Sequence, residues 1–283
     1  MGDRSNISWT MATWNPWRGC RKVSPGCKNC YMFRDQTRYG QDPSIVTRSK
    51  TTFNAPLKWK EPTLIFTCSW SDWFIEEADA WRAEAWDIIR RTPHHTYQIL
   101  TKRPERMVEH LPADWGDGWS NVWMGVSVES QQYADKRIPE LLEIPARVRF
   151  LSVEPMLGPI DFTQIPTGHW AYGHVDVMSG YLCGNEPDEM RDWDADPQGW
   201  IRKPAGEWER GPHGVDWVIV GGESGPGFRP LNLDHARSVR DQCVAAGVPF
   251  FFKQDSGPRP GMNPMLDGVV WNQLPNVNEG GRE

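Results

Sequence analysis

Three cysteines, Cys20, Cys27 and Cys30, fall within eleven residues of one loop: Asn15-Pro-Trp-Arg-Gly-Cys20, Arg-Lys-Val-Ser-Pro-Gly-Cys27, Lys-Asn-Cys30-Tyr31. They are half of the six cysteines in the chain. Three thiolates from one loop can hold a metal and leave a coordination position open, which a reactive site uses and a closed structural site avoids. The competing readings meet specific obstacles. A structural zinc site wants four ligands, and no second Cys pair or His-x-His follows, although Cys68 or a histidine brought in by the fold would complete one. A disulfide leaves an odd cysteine in a chain whose start, Met-Gly-Asp-Arg-Ser-Asn, has no apolar signal core. Three unconnected buried thiols sit poorly among Lys, Arg, Pro and Gly. The pattern favours a metal or cluster, iron–sulfur ahead of zinc.

The same loop is the basic part of an acidic protein. Residues 1–60 carry eleven Lys/Arg against three Asp/Glu, a balance of +8; with a total of −6, the rest carries −14. Arg18, Arg21, Lys22, Lys28, Arg34 and Arg38 surround the cysteines. A solvated basic face that favours thiolates accounts for them; so does a local site for an anionic cofactor or nucleic-acid phosphate. The acidic whole argues against a nonspecific nucleic-acid coat.

The elements that must position this loop read as repeated strand, loop and helix. Strands are expected at Ile7–Trp14, Thr63–Ser69, Thr96–Thr101, Asn121–Val128, Val148–Val153, Trp217–Val220 and Pro249–Phe252, several of them nearly continuous apolar or β-branched runs of the kind buried on both faces. Helices are expected at Glu76–Arg91, with Trp81, Ala85, Ile88 and Ile89 on one stripe and Ser71 or Asp72 near its start, and at Gln131–Leu142 and Asp234–Ala246, the last closed by Gly247. Strand–helix alternation with short loops implies a parallel sheet with right-handed crossovers. The expected fold is α/β, a partial (β/α) barrel of six to seven parallel strands with an inserted loop region; an open doubly wound sheet is the alternative.

Polar groups then fall into register. The strands run into the cysteine loop, Ser69-Trp-Ser71-Asp72, Thr101-Lys102-Arg103, Ser127-Val-Glu129, Ser152-Val-Glu154, Gly221-Gly-Glu223 and Lys253-Gln254. A Ser or Glu after one strand is often a helix cap. Seven such tails point to one rim, because barrels and open α/β sheets place their sites at the carboxyl ends of strands.

Three stretches are expected: a first barrel part at 1–162, an insertion at 163–216, and the last barrel part with its tail at 217–283. The insertion has ten acids, four bases and four Trp and includes Cys183. It reads as a surface loop, with a lid or a partner-binding face as the alternative. The tail packs only around Leu266–Leu274. The seventeen tryptophans of the chain are mostly core or pocket wall. A hydrophobic content of 39% with mean hydropathy −0.62 and no long apolar run exclude a membrane-spanning helix and point to a cytoplasmic protein. No Gly-x-Ser-x-Gly elbow, His-Glu-x-x-His or Walker loop supports a hydrolase.

On these residues the loop from Asn15 to Tyr31 resembles the radical S-adenosylmethionine (SAM) enzymes, closest to their spore-photoproduct-lyase-like branch. Ser69-Trp-Ser71-Asp72 and Thr101-Lys102 resemble that branch's next two landmarks in order. Six residues stand in the first spacer where that branch commonly has three, and Asn29 stands where an aromatic residue is common, with Tyr31 following. The whole chain apart from 163–216 also resembles a phage and bacterial three-cysteine family of largely unknown function, through Thr13-Trp-Asn-Pro, Leu100-Thr-Lys-Arg-Pro-Glu-Arg106, Gly125-Val-Ser-Val-Glu129, Ser152-Val-Glu-Pro155, Gly221-Gly-Glu-Ser-Gly225 and Phe252-Lys-Gln254.

The radical-SAM resemblance implies a [4Fe–4S] cluster on Cys20, Cys27 and Cys30, with SAM on the open iron and an electron donor to drive its reductive cleavage and hydrogen abstraction. Ser69 and Lys102 match SAM-contacting positions; Lys102 would pair with the SAM carboxylate. Asp72, Glu129, Glu154 and Glu223 complete the candidate cofactor residues, with a salt-bridge network across the rim as their alternative role. Cys68, Cys243 and Tyr31 are candidate catalytic residues, and both cysteines are equally read as small buried hydrophobes. A nucleic acid or nucleotide is the expected substrate. A non-catalytic iron–sulfur or zinc-binding module, contacting nucleic acid or a protein through 163–216, is the alternative.

Overall fold

The structure is a computed structural model that describes residues 5–167, 173–183 and 214–276. Seven strands form one all-parallel sheet: β1 Ala12–Trp14, β2 Leu64–Thr67, β3 Thr96–Thr101, β4 Val122–Ser127, β5 Val148–Val153, β6 Trp217–Gly221 and β7 Phe250–Gln254. They lie side by side in chain order, and the sheet curls into a half-barrel with helices around it. The expected partial barrel is what forms. Among the described residues, no helix is long and apolar enough to cross a membrane.

The helices are α1 Tyr31–Arg38, α2 Asp79–Arg91, α3 Gln131–Leu142 and α4 Leu233–Ala245. Acids at the start of α2 (Asp79, after Glu76 and Glu77) and Arg90 and Arg91 in its last turn complement its dipole. Its buried stripe is Arg82, Ala85, Trp86, Ile88 and Ile89; Trp81 stays half-buried at the edge. Asn232 caps α4 by accepting from Asp234 N at 2.9 Å, and Gly247 ends it at φ +66°.

Two apolar clusters lie on opposite faces of the sheet. The larger joins it to the helices. The other holds Trp9, Phe66, Trp123, Val148, Phe150, Trp217, Ile219 and Phe251 and fills the inner face. Gly125 on β4 is required there by close approach, since a Cβ would lie 2.5 Å from the Phe150 ring. Strands alternate faces with period two. Counting inward from Trp123, Phe150, Trp217 and Phe251 reaches Glu129, Glu154, Glu223 and Lys253, so these rim residues share the parity of the inner wall.

Several expectations are corrected. β1 is only Ala12–Trp14, because residues before it form a turn, with Thr10 N donating to Ile7 O at 3.2 Å, and Trp9 folds onto the inner wall. Helix α1 was not expected; it buries only Met32 and Gln36, too little apolar periodicity to read. The described residues of 163–216 are more than a surface loop. Ile165–Pro166, His174–Asp176 and Tyr181–Cys183 make a small antiparallel sheet, and Ile165, Val175, Val177 and Met178 enter the main core. The partner face expected on 163–216 falls largely on 184–213, outside the described residues. In the tail, Phe252 N donates to Trp271 O and Gln273 N to Phe250 O, so 271–273 cover the edge of β7.

Candidate functional site

The cysteine loop lies across the carboxyl ends of β2 to β6. It leaves β1 through Asn15, whose Oδ1 accepts from Trp70 N at 2.7 Å and whose Nδ2 donates to Ser69 Oγ at 3.0 Å. Trp17–Arg18 pairs with Thr47–Arg48. Gly19 then turns at φ +93°, where a Cβ would meet Ile45 O at 2.2 Å, so only glycine fits. Its carbonyl accepts from Ser71 Oγ at 2.6 Å. Cys20 N is held by Pro43 O at 2.9 Å. Cys27 ends a short 3₁₀ turn at Pro25–Cys27, and Cys30 occupies the N-cap position of α1. Cys20, Cys27, Cys30 and Cys68 are free thiols.

Two carboxylates fasten this loop to the rim directly, and a third, Asp72, acts on it through Arg103. Glu129 is fully buried; Oε1 accepts from Gly26 N at 3.3 Å and Oε2 from Arg137 Nη1 at 2.7 Å. Glu223 accepts from Asn29 Nδ2 at 2.8 Å and takes Arg229 in a fork, with Nε to Oε2 at 3.0 Å and Nη2 to Oε1 at 2.6 Å. Arg229 Nη1 reaches on to Pro25 O at 3.0 Å. Asp72 accepts from Thr101 Oγ1 at 2.6 Å, Lys102 N at 2.9 Å and Phe74 N at 3.0 Å, and pairs with Arg103 at 3.2 Å. Arg103 also reaches Cys20 Sγ at 3.9 Å.

The electrostatics follow from burial and these partners. Burial pushes the Cys20 thiol up to about 12, with Asp72 adding to the rise and Arg103 opposing it. Burial also raises Cys30, against the amides of Met32 and Phe33 and the charge of Lys102. Burial works to raise Glu129 and Glu223, but their partners outweigh it: the charges of Lys102 and Arg137 hold Glu129 below the usual carboxylate range, and hydrogen bonds from Arg229 and Asn29 do the same for Glu223. Lys102 differs from every other charged residue named here. Its ammonium makes no hydrogen bond or ion pair among the described residues, while its charge is felt by both Glu129 and Cys30.

The remaining candidates are placed as follows. Glu154 pairs with Lys253 at 2.5 Å. Ser69 faces Asn15, and its carbonyl accepts from Tyr31 OH at 2.6 Å, so Tyr31 bridges α1 to the end of β2. Cys68 is buried just past β2 at φ +58°, with its thiol close enough to Cys20 to feel its charge. Cys243 is not at the rim; it lies in the core on α4, because Ala236, Val239 and Cys243 form the buried stripe of that helix. Arg137, Arg229, Asn15 and Asn29 were missed as site residues, since arginines and asparagines in loops and on helices read as solvent-facing; Arg103 was placed on the rim but given no role.

Among the described residues, no three His, Cys, Asp or Glu side chains converge as a ready metal cage. Three thiols on one loop are nevertheless donors of thiophilic chemistry. Cys20 and Cys30 each feel the charge of Cys27, amides at the start of α1 face the Cys30 sulfur, and metal binding would displace the protons that burial retains.

The family described as "Protein of unknown function (DUF5131)" matches residues 4–275, which take in the cysteine loop and every rim residue named above. No curated protein and no solved structure matches the chain.

Proposed function

The chain belongs to that family of unknown function, and from its own residues we propose that it is an iron–sulfur enzyme of the radical-SAM type. Cys20, Cys27 and Cys30 would hold a [4Fe–4S] cluster, with SAM at its open iron. When bound, this group supplies one-electron reductive cleavage of SAM and hydrogen abstraction from a substrate. The observation that carries the reading is the cysteine loop fastened over the carboxyl rim of a parallel half-barrel, with Lys102, whose charge acts on Cys30, making no ion pair among the described residues.

The chain's own residues have assignable parts. Lys102 offers a charged donor to a carboxylate without first breaking an ion pair. Glu129, Glu154 and Glu223 are already engaged by Arg137, Lys253 and Arg229, so their part is to hold the loop and the rim. The aromatic inner wall of Trp9, Trp123, Phe150 and Trp217 keeps water from the floor below the rim. The basic residues of 1–60 favour a nucleic acid or nucleotide as substrate. A cytoplasmic compartment, where thiols stay reduced, and a separate electron donor belong to the same reading.

Cys68 favours a second reading. Its proximity to Cys20 offers a fourth thiol, and four thiolates would hold zinc in a closed, non-catalytic site of a nucleic-acid or protein interaction module. SAM cleavage by the reduced, iron-loaded protein separates the two. The first reading expects cleavage that is lost in each of Cys20→Ala, Cys27→Ala and Cys30→Ala; unimpaired cleavage in Cys30→Ala sinks it.

A further inference from the structure

Arg103 follows Lys102 in the chain but turns into the protein, where it is 7% exposed. Its guanidinium reaches three groups: Nη1 lies 3.2 Å from Asp72 Oδ2 and 3.9 Å from Cys20 Sγ, and Nη2 donates to Arg21 O at 3.0 Å. Thr101 fixes the pair. Its hydroxyl donates to Asp72 at 2.6 Å, and the same oxygen accepts from Arg103 N at 2.9 Å. A buried cation and a buried anion are thus locked together beside one of the three thiols. The surroundings of the other two differ: Cys27 has the Ser24 hydroxyl at 3.7 Å, and Cys30 sits at the start of α1.

We propose that the Arg103–Asp72 pair sets the reduction potential of the group held at Cys20, with Arg103 raising it and Asp72 lowering it. This rests on the reading that the three thiols hold an iron–sulfur cluster. Reduction adds negative charge to the cluster and its sulfurs. A cationic donor to a ligating sulfur stabilises the reduced form, and a carboxylate nearby destabilises it. Burial of both groups keeps either effect from being damped by water. A pair that only braced β3 against the loop would behave otherwise, because removing either partner would then act in the same direction, through loss of the metal. Arg106, three residues on, is a control in the same basic run. It turns to Phe74 O at 2.9 Å and Asp79 at 2.8 Å and makes no contact with the cysteines.

The test uses the full chain, reconstituted anaerobically with iron and sulfide as wild type, Arg103→Gln, Arg103→Lys, Asp72→Asn and Arg106→Gln. Iron per chain is measured first. The one-electron midpoint is then taken by dithionite titration followed by EPR. With iron retained, Arg103→Gln is expected to shift the reduction equilibrium about tenfold toward the oxidised form, about 59 mV lower. Asp72→Asn shifts it the opposite way, Arg103→Lys recovers part of the loss, and Arg106→Gln leaves it in place. Equal potentials in loaded wild type and variants overturn the proposal and leave the iron–sulfur reading standing. Shifts of the same sign, or loss of iron in the Arg103 and Asp72 variants alone, overturn it in favour of a brace. A wild type that takes up no iron overturns both.

Discussion

Gly26 donates its backbone N–H to the fully buried Glu129 across 103 positions of the chain, and a Cβ on Gly26 would lie 2.9 Å from the same carboxylate oxygen. The middle of the cysteine loop is thereby seated on the end of β4, and the carboxylate that seats it is neutralised from behind by Arg137 at 2.7 Å. Gly26→Val should lift the loop off the rim. The expected outcome is reduced iron uptake with little change in far-UV circular dichroism, measured as iron per chain after reconstitution.

Glu129→Gln leaves Arg137 buried without its carboxylate. Breaking a buried pair from one side costs about 3–5 kcal/mol, so this variant should show a clearly lower midpoint in urea. Replacing Glu84, which pairs with Arg48 on an exposed surface at 2.5 Å, should change the midpoint little, since exposed pairs contribute about 0–1 kcal/mol.

Lys102→Met should leave metal uptake intact, because among the described residues the ammonium makes no hydrogen bond or ion pair whose loss would disturb the fold. SAM affinity should fall by about 1.5–3 kcal/mol, the usual worth of a hydrogen bond to a charged group. Isothermal titration of the loaded protein with SAM reads this. Unchanged affinity would remove Lys102 from the cofactor site.

The two kinds of shifted group give opposite pH behaviour. Glu129 and Glu223 are depressed below 4.5, so the stability they contribute is present above that value and is lost as pH falls through their folded pKa values. Exchange protection of amides in 20–30 should therefore drop below about pH 4.5. Cys20 is raised from 9.0 to about 12, so its contribution to the metal-free fold is complete below pH 9 and is lost as pH rises toward 12. Metal binding must displace that proton, so uptake by the metal-free protein should tighten as pH rises.

Gly125→Ala should destabilise the inner wall. Its Cβ would press into the Phe150 ring at 2.5 Å, and overpacking of this kind costs about 1–3 kcal/mol. A thermal melt with near-UV circular dichroism, which follows the tryptophans around Phe150, checks it.

The barrel was readable because its strands are short apolar or β-branched runs with polar tails. Thr96–Thr101 and Val148–Val153 form with the bounds their sequence implies, and the period-two count from Trp123 to Glu129 carries the rim parity. The fastenings of the loop were not readable. Asn29 and Glu223 are 194 positions apart, and nothing local to either residue says they meet. The rim glutamates were expected to serve a cofactor or to join a salt-bridge network across the rim; each does meet an Arg or Lys, Glu154 the rim's own Lys253, and Glu129 and Glu223 the arginines Arg137 and Arg229, which read as surface charges. Helix α1 escaped notice because the N-cap position is taken by Cys30, with no Ser, Thr or Asp to mark it.

The most direct test of the central claim is anaerobic reconstitution of the full chain with iron and sulfide, followed by metal analysis and EPR of the reduced protein with and without SAM. The account predicts about four irons per chain, the content of one [4Fe–4S] cluster, and a spectrum that SAM perturbs. About one zinc per chain, the content of a closed structural site, with no response to SAM would contradict it.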